Sequence, residues 1–92
     1  MKELIRYLVA ALVDHPDDIE VFEVEGGRTT ILELKVHPDD VGKVIGRQGR
    51  TATALRTLLQ AHASRERMRV VLEIIEVDRD GSERPHRGSD ED

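Results

Sequence analysis

The sequence has 92 residues, a net charge of −5 and no cysteine. This length predicts one small domain, and the lack of cysteine excludes disulfides and thiolate metal sites. Glu3 and Arg6 interrupt the apolar N-terminal stretch, and no apolar run is long enough to span a bilayer. We therefore expect a soluble, cytoplasmic protein.

The charge is unevenly distributed along the chain. Residues 41–69 carry seven lysines and arginines against the single acid Glu66, whereas residues 1–40 carry four against ten acids. A basic segment inside an acidic chain is typical of a phosphate-binding surface. Taken on their own, the arginines are equally well explained as a solvated helix face.

The first half of the chain predicts a helix and a hairpin. Apolar residues recur at helical spacing over residues 2–13, and Pro16 ends that pattern. Residues 19–25 are rich in β-branched side chains and predict a strand. Gly26-Gly27 predicts a hairpin turn, and residues 29–36 alternate between apolar and polar side chains as a second strand does.

The second half predicts two helices and a strand. A short helix should begin at Pro38 and break at Gly46, because proline suits a first helical turn and glycine weakens the interior. Residues 50–63 predict a longer helix, and His62 falls on its apolar face, where we expect it to be buried or in an interface. Residues 69–77 are apolar on both faces, which is typical of a strand inside a sheet or next to a parallel neighbour.

The resulting order is α-β-β-α-α-β. A right-handed crossover through the helix pair would place the third strand parallel to the second. We predict an α+β domain over residues 1–77, with a three-stranded mixed sheet and three helices on one face. Residues 78–92 contain no apolar side chain, so we predict a disordered tail that neither folding nor the glycine loop requires.

The stretch "GKVIGRQGR", residues 42–50, contains three glycines with a basic residue after each. It lacks the GxxxxGK[ST] spacing of a Walker A loop and the GxGxxG spacing of a dinucleotide-binding turn. What fits is Gly46-Arg47-Gln48-Gly49, a GXXG loop between two helices, which in KH domains clamps the backbone of about four nucleotides. The alternative is a helix joint that requires glycine only for its turn.

The residue types in this loop suit phosphate. Two glycines allow a sharp turn and remove Cβ atoms where a phosphate must approach. Backbone N–H groups at the start of the following helix attract anions. Arg47 adds a permanent positive charge, and Gln48 adds a neutral donor.

"HPDDVGKVIGRQGRTATALRTLLQA" resembles the KH core of small bacterial single-KH proteins of the KhpA type, as do the opening residues and "TTILELKV". The resemblance covers residues 1–77 and implies a type II KH fold. It also implies binding of single-stranded RNA with low sequence selectivity, and a role as an RNA chaperone or post-transcriptional regulator. The implied partners are a second copy or a larger protein of the KhpB (Jag/EloR) type, a pair tied in some bacteria to cell shape and cell-wall regulation.

The resemblance places the RNA backbone on the loop and the bases in a shallow groove beside it. One wall of that groove would be the helix pair, and the other an edge strand beginning near residue 69. The expected RNA-binding residues are Lys43, Val44, Ile45, Gly46, Arg47, Gln48, Gly49, Arg50, Arg67 and Arg69. Val44 and Ile45 would supply apolar contacts to bases, and the arginines would neutralise phosphates.

Two other function classes were weighed against RNA binding. The four histidines are scattered over separate elements, and no catalytic motif is present, so we expect no enzyme, no cofactor and no metal site. The alternative is a protein-interaction module whose main role is to pair with a larger KH-containing partner. The two aromatic residues, Tyr7 and Phe22, lie far from the loop in sequence, which argues against base stacking on aromatic rings.

Overall fold

The computed structural model describes residues 1–77 and 81–86. Its helices and strands are α1 (Lys2–Ala10), β1 (Glu20–Gly26), β2 (Thr29–Lys35), α2 (Val41–Ile45), α3 (Arg50–Arg65), β3 (Arg69–Val77) and β4 (Glu83–His86). The α+β class is confirmed, whereas the observed order of helices and strands is α-β-β-α-α-β-β, one strand longer than predicted. The prediction of a three-stranded sheet is wrong, because β4 adds a fourth strand.

The strands lie in the order β1-β2-β3-β4. β1 pairs antiparallel with β2 through a two-residue turn at Gly27 and Arg28, one residue later than predicted, because Gly26 is still paired with Thr29. Gly27 has a positive φ of +60°, which such a turn favours in glycine. β2 and β3 are parallel, as the crossover through α2 and α3 predicts, with Leu32 beside Leu72 and Leu34 beside Ile74.

One face of the sheet carries the core. Alternate residues of β2 are buried, and the residues between them are half-buried, because successive side chains of a strand point to opposite faces. The helices pack on this face, and their buried side chains belong to the same hydrophobic cluster. Its buried members are Ile5, Val9, Ile19, Val21, Leu32, Leu34, Val36, Val44, Ala52, Leu55, Leu59, Leu72 and Ile74.

α3 turns a narrower apolar face to the core than its sequence pattern predicts. Leu55 and Leu59 are buried, whereas Leu58 is 52% exposed. His62, one turn after Leu58, is also exposed, so the expectation that it is buried is wrong for the single chain. Both residues lie on the flank of the helix where solvent reaches it.

β4 lies inside the tail that we predicted to be disordered. Glu83–His86 pairs antiparallel with Ile74–Val77 of β3, so that prediction is wrong for these four residues. Residues 78–80 and 87–92 of the same prediction lie outside the described residues. The strand was missed because backbone pairing and ion pairs hold it, Lys35 Nζ being 2.7 Å from Glu83 Oε2, and neither leaves an apolar pattern.

Two neighbouring leucines of α3 test this packing. Leu59→Ala should lower the free energy of unfolding by about 2–5 kcal/mol, because it leaves a cavity under the sheet. Leu58→Ala is the matched control on the same turn and should cost about 0.5 kcal/mol or less. Urea unfolding measures both, and equal losses would contradict the burial of α3 described above.

Candidate nucleic-acid interface

The loop from Gly46 to Gly49 is a sharp joint between α2 and α3. α2 closes with a hydrogen bond from Gly46 N–H to Gly42 O at 2.8 Å, and Gly49 N–H donates to Gly46 O at 3.1 Å. The φ angles of the two glycines are +78° and +74°, in a region that L side chains rarely adopt. Gln48 also has a positive φ, +57°. The chain therefore reverses within four residues and begins α3 at Arg50.

The two glycines are required for different reasons. A Cβ on Gly46 would collide with Thr51 Oγ1 and lie 2.7 Å from Thr51 Cβ and 2.9 Å from Thr51 N. A Cβ on Gly49 would meet nothing within 4 Å, so only its backbone conformation favours glycine there. Gly46 thus lets the loop approach the first turn of α3 closely.

The outer surface of the loop is polar and exposed. Arg47, Gln48 and Arg50 are all exposed, and Arg50 Nη2 donates to Gln48 Oε1 at 3.3 Å. Two guanidinium groups therefore lie beside the N-terminus of a 16-residue helix, whose dipole also favours anions. This arrangement can hold phosphate.

The two apolar residues before the loop do not share its surface. Val44 is fully buried in the core, so the prediction that it contacts a base is wrong. Ile45 is partly buried and packs against the core cluster, which leaves one side available. A helix of five residues has one inward face, and sequence periodicity is too short there to tell which residue occupies it.

A buried carboxylate anchors the other end of α2. Asp40 is completely enclosed and accepts hydrogen bonds from Asp14 N–H at 3.1 Å and His15 N–H at 2.9 Å. His15 Nδ1 lies 3.1 Å from the same carboxylate. Burial alone would raise the pKa of Asp40, but the hydrogen bonds from Asp14 and His15 outweigh it and hold the pKa below its usual value.

Lys43 is shared between this anchor and the predicted RNA site. Its Nζ lies 3.3 Å from Asp14 Oδ2 and 3.7 Å from Asp40 Oδ1. The hydrogen bond to Asp14, followed by its charge, raises the pKa of Lys43. The ammonium is half-exposed, so a phosphate would share it with Asp14 or displace that carboxylate.

Two histidine rings stack beside the anchor. The ring centroids of His15 and His37 are 3.9 Å apart, with 14° between the planes. His37 Nδ1 accepts the N–H of Asp39 at 3.0 Å and so caps the short turn that leads into α2. No sequence pattern indicates this cluster, because its members come from two loops more than twenty residues apart.

Arg67 and Arg69 lie away from the loop. They follow the last turn of α3, which is about 22 Å from Arg50 at 1.5 Å per residue. Arg28 Nη1 donates to Arg67 O at 3.3 Å, and Arg69 N–H donates to Arg28 O at 2.8 Å. These arginines lie beside the β1–β2 hairpin, at the end of α3 remote from the loop, and their contact with RNA along the second wall of the groove stays a prediction.

Two polar side chains of α3 that sequence reasoning did not assign to the site cover the outer edge of β3. Arg56 Nε and Nη2 donate to Leu72 O at 3.2 and 3.1 Å, and Nη2 also donates to His86 O at 2.7 Å. Gln60 Oε1 accepts Val70 N–H at 3.2 Å, and its Nε2 donates to Met68 O at 3.3 Å. The available signal was their spacing of four residues on one flank of α3.

Comparison with known proteins points to one family. A family model described as KhpA/KhpB, KH domain, matches residues 2–74. The RNA-binding protein KhpA of Halalkalibacterium halodurans is 54% identical over 76 residues, which cover 83% of this chain and all of that protein. KhpA of Clostridium acetobutylicum is 55% identical over 75 residues, 82% of this chain and all of that protein. KhpA of Chlamydia pneumoniae is 50% identical over 76 residues, 83% of this chain and 97% of that protein. No solved structure gives a significant match.

The buried carboxylate gives a pH-dependent prediction. Because the folded pKa of Asp40 is lowered, its stabilisation is present at pH 7 and is lost as the pH falls below about 4, through the folded pKa. Asp40→Asn should therefore lower the urea midpoint at pH 7, and the difference from the unsubstituted protein should shrink at pH 3. Asp39→Asn, at an exposed neighbour, is the control and should have little effect. A difference of the same size at both pH values would contradict the role given to Asp40.

The two glycines of the loop should differ in their tolerance of a side chain. Gly49→Ala should cost about 1–2 kcal/mol, because only the left-handed backbone opposes it. Gly46→Ala should cost more, because Thr51 must move as well. Urea unfolding of both variants checks the order, and a larger loss for Gly49→Ala would contradict the contact with Thr51.

Proposed function

The chain belongs to the KhpA/KhpB family of KH domains, which is not an enzyme family, and on that premise we propose that it binds single-stranded RNA. The observation that carries the proposal is the joint at Gly46–Gly49, where two positive-φ glycines leave the backbone open beside exposed Arg47, Gln48 and Arg50. Relatives that are half identical or more are named RNA-binding proteins.

The loop would hold the RNA backbone. Gly49 presents no Cβ, so a phosphate can approach the main chain there, and the N-terminus of α3 attracts it. Arg47 and Arg50 can each donate two hydrogen bonds to phosphate oxygens. Lys43 contributes charge at the edge of the site while it remains near Asp14. This part of the interface reads no sequence, since phosphates are the same at every nucleotide.

The bases would be held beside the loop without aromatic stacking. The two aromatic residues, Tyr7 and Phe22, are exposed on α1 and β1, elements that do not carry the loop. Ile45 supplies an apolar contact, and α3 and β3 supply polar groups along the groove. Selectivity should therefore be low, and affinity for one domain modest.

Pairing with another KH protein would complement RNA binding. Tyr7 on α1 and Leu58 on α3 are 77% and 52% exposed, which leaves apolar area on the helical layer. A second copy, or a larger protein of the KhpB type, would cover such residues and join two RNA sites, which raises avidity. The proposal assigns the role of RNA chaperone and post-transcriptional regulator to the chain itself, and a role in cell shape and cell-wall regulation to its pair with the larger protein.

We place this function in the cytoplasm. Within residues 1–77 and 81–86, no helix combines the length and the apolar character needed to cross a bilayer. The RNA would thus be met in solution, and the salt dependence of binding is an appropriate test of the contact with its backbone.

A matched pair of arginine variants tests the loop. Arg47→Gln should weaken binding of a fluorescent single-stranded RNA and reduce the slope of log affinity against log salt by about 0.7, the value for one phosphate contact. Arg65→Gln removes the same charge at the far end of α3 and should leave the slope unchanged. Fluorescence anisotropy over a range of salt concentrations measures both.

Two results would contradict the proposal. Equal effects of Arg47→Gln and Arg65→Gln would mean that general charge, and not the loop, attracts RNA. Absence of any salt-sensitive RNA binding by the unsubstituted protein would favour the alternative, in which the chain acts mainly by pairing with another protein. Circular dichroism of both variants shows whether the fold is kept.

A further inference from the structure

β4 lies beside the loop end of β3. Gln60 of α3 accepts a hydrogen bond from Val70 N–H, and Arg56, four residues earlier in the helix, donates to Leu72 O, two residues later in the strand. α3 and β3 therefore run in opposite directions where they meet. The two rises agree, at about 6 Å along the helix and about 6.6 Å along the strand. Continued toward the start of α3, this alignment places residues 74–77, the partners of β4, at the same end of α3 as the GXXG loop.

The outer edge of β3 is therefore covered in two ways, by side chains of α3 over its first part and by β4 over its last four residues. Gln60 satisfies Val70 N–H and Met68 O, Arg56 satisfies Leu72 O, and β4 pairs with residues 74–77. Sequence reasoning made β3 an edge strand and one wall of the groove for bases. With β4 in place, that wall has no free strand edge next to the loop.

β4 is held in a way that permits release. It has four residues, of which Glu83, Arg84 and Pro85 are exposed, and short exposed pairing opens locally at low cost. Its ion pairs, to Lys35 and Glu76, are at the surface, where solvent weakens them. Docking also buries His86 Nδ1, which has no hydrogen-bond partner among the described residues, and an unpaired buried nitrogen opposes docking.

β4 is also additional to the family domain. The family model ends at residue 74, and relatives matched over their whole length align over 75 or 76 residues, so the tail lies beyond them. Residues 78–92 as a whole carry six acids and three arginines, so the segment that contains β4 is net negative in sequence.

We propose that β4, which is part of the same chain, competes with the RNA bases for their side of the RNA site. This regulation rests on the proposed function. RNA bases and β4 would use the same edge of β3 next to the loop. When β4 leaves, Arg56 loses its bond to His86 O, and that guanidinium donor turns to the nucleotide that replaces the strand. Because the bases bind only when β4 is undocked, the apparent RNA affinity is the intrinsic affinity multiplied by the fraction of molecules in which β4 is undocked.

A reversible disulfide that holds β4 against β3 tests the proposed competition within one polypeptide. Glu76 and Arg84 are direct cross-strand partners, so Glu76→Cys with Arg84→Cys can form a disulfide at the Cα separation of an antiparallel pair. The double substitution leaves the net charge unchanged, and the chain has no other cysteine. The affinity of the oxidised form for single-stranded RNA should be lower than that of the reduced form by about tenfold or more, because the disulfide removes the molecules in which β4 is undocked. Reduction should restore binding.

A second variant separates strand pairing from charge. Reordering residues 78–92 without changing their composition keeps length and charge but removes the pairing sequence of β4. This variant should bind RNA more tightly than the unsubstituted protein. The unsubstituted protein, treated with the same oxidant and reductant, is the control and should not change.

The outcomes distinguish the competitor from the RNA site itself. If the oxidised, reduced and reordered forms bind RNA with equal affinity and equal salt dependence, the proposal that β4 competes with RNA is overturned. The proposal that the chain binds RNA is unaffected by that result. Failure of the disulfide to form would contradict the docked register of β4. Absence of RNA binding by every form would overturn the proposed function and the competitor with it.

Discussion

The turn between α2 and α3 depends on the missing Cβ of Gly46. Thr51 occupies the space that this Cβ would need, and the first turn of α3 therefore starts directly against the loop. As a result, Val44 points into the core while Arg47, three residues later, is exposed beside the N-terminus of α3. A packing constraint of one atom thus separates the structural face of the joint from the face that can meet phosphate.

Asp40 fixes the same joint from its other end. Its carboxylate takes two backbone N–H groups from the segment after α1, so the start of α2 cannot shift without leaving a charge buried and unpaired. α2 has only five residues and little helical stability of its own, so both ends must be held by tertiary contacts. Lys43 lies between the anchor and the loop, which links the stability of the domain to the charge of its binding surface.

The sequence was sufficient where its pattern was long and repetitive. The alternation over residues 29–36 predicted β2, and the GXXG spacing located the joint, because both signals are local. Three-dimensional neighbours were not accessible in this way. Arg69 lies in the same basic segment as the loop, but α3 separates the two by its full length of 16 residues. Asp40 lies two residues after Pro38, where no sequence pattern shows that its side chain is buried, and β4 lacks the apolar pattern that would indicate a strand.

RNA should bind at the joint and not at the other basic surface. A ¹H–¹⁵N NMR titration of the full chain with a short single-stranded RNA can locate the binding site, since each backbone amide reports on its own position. We expect the largest shifts from Gly46 to Arg50 and in the strand β4, with little change near Arg67. Shifts concentrated at Arg65–Arg69 and the β1–β2 hairpin, with the loop unchanged, would contradict it.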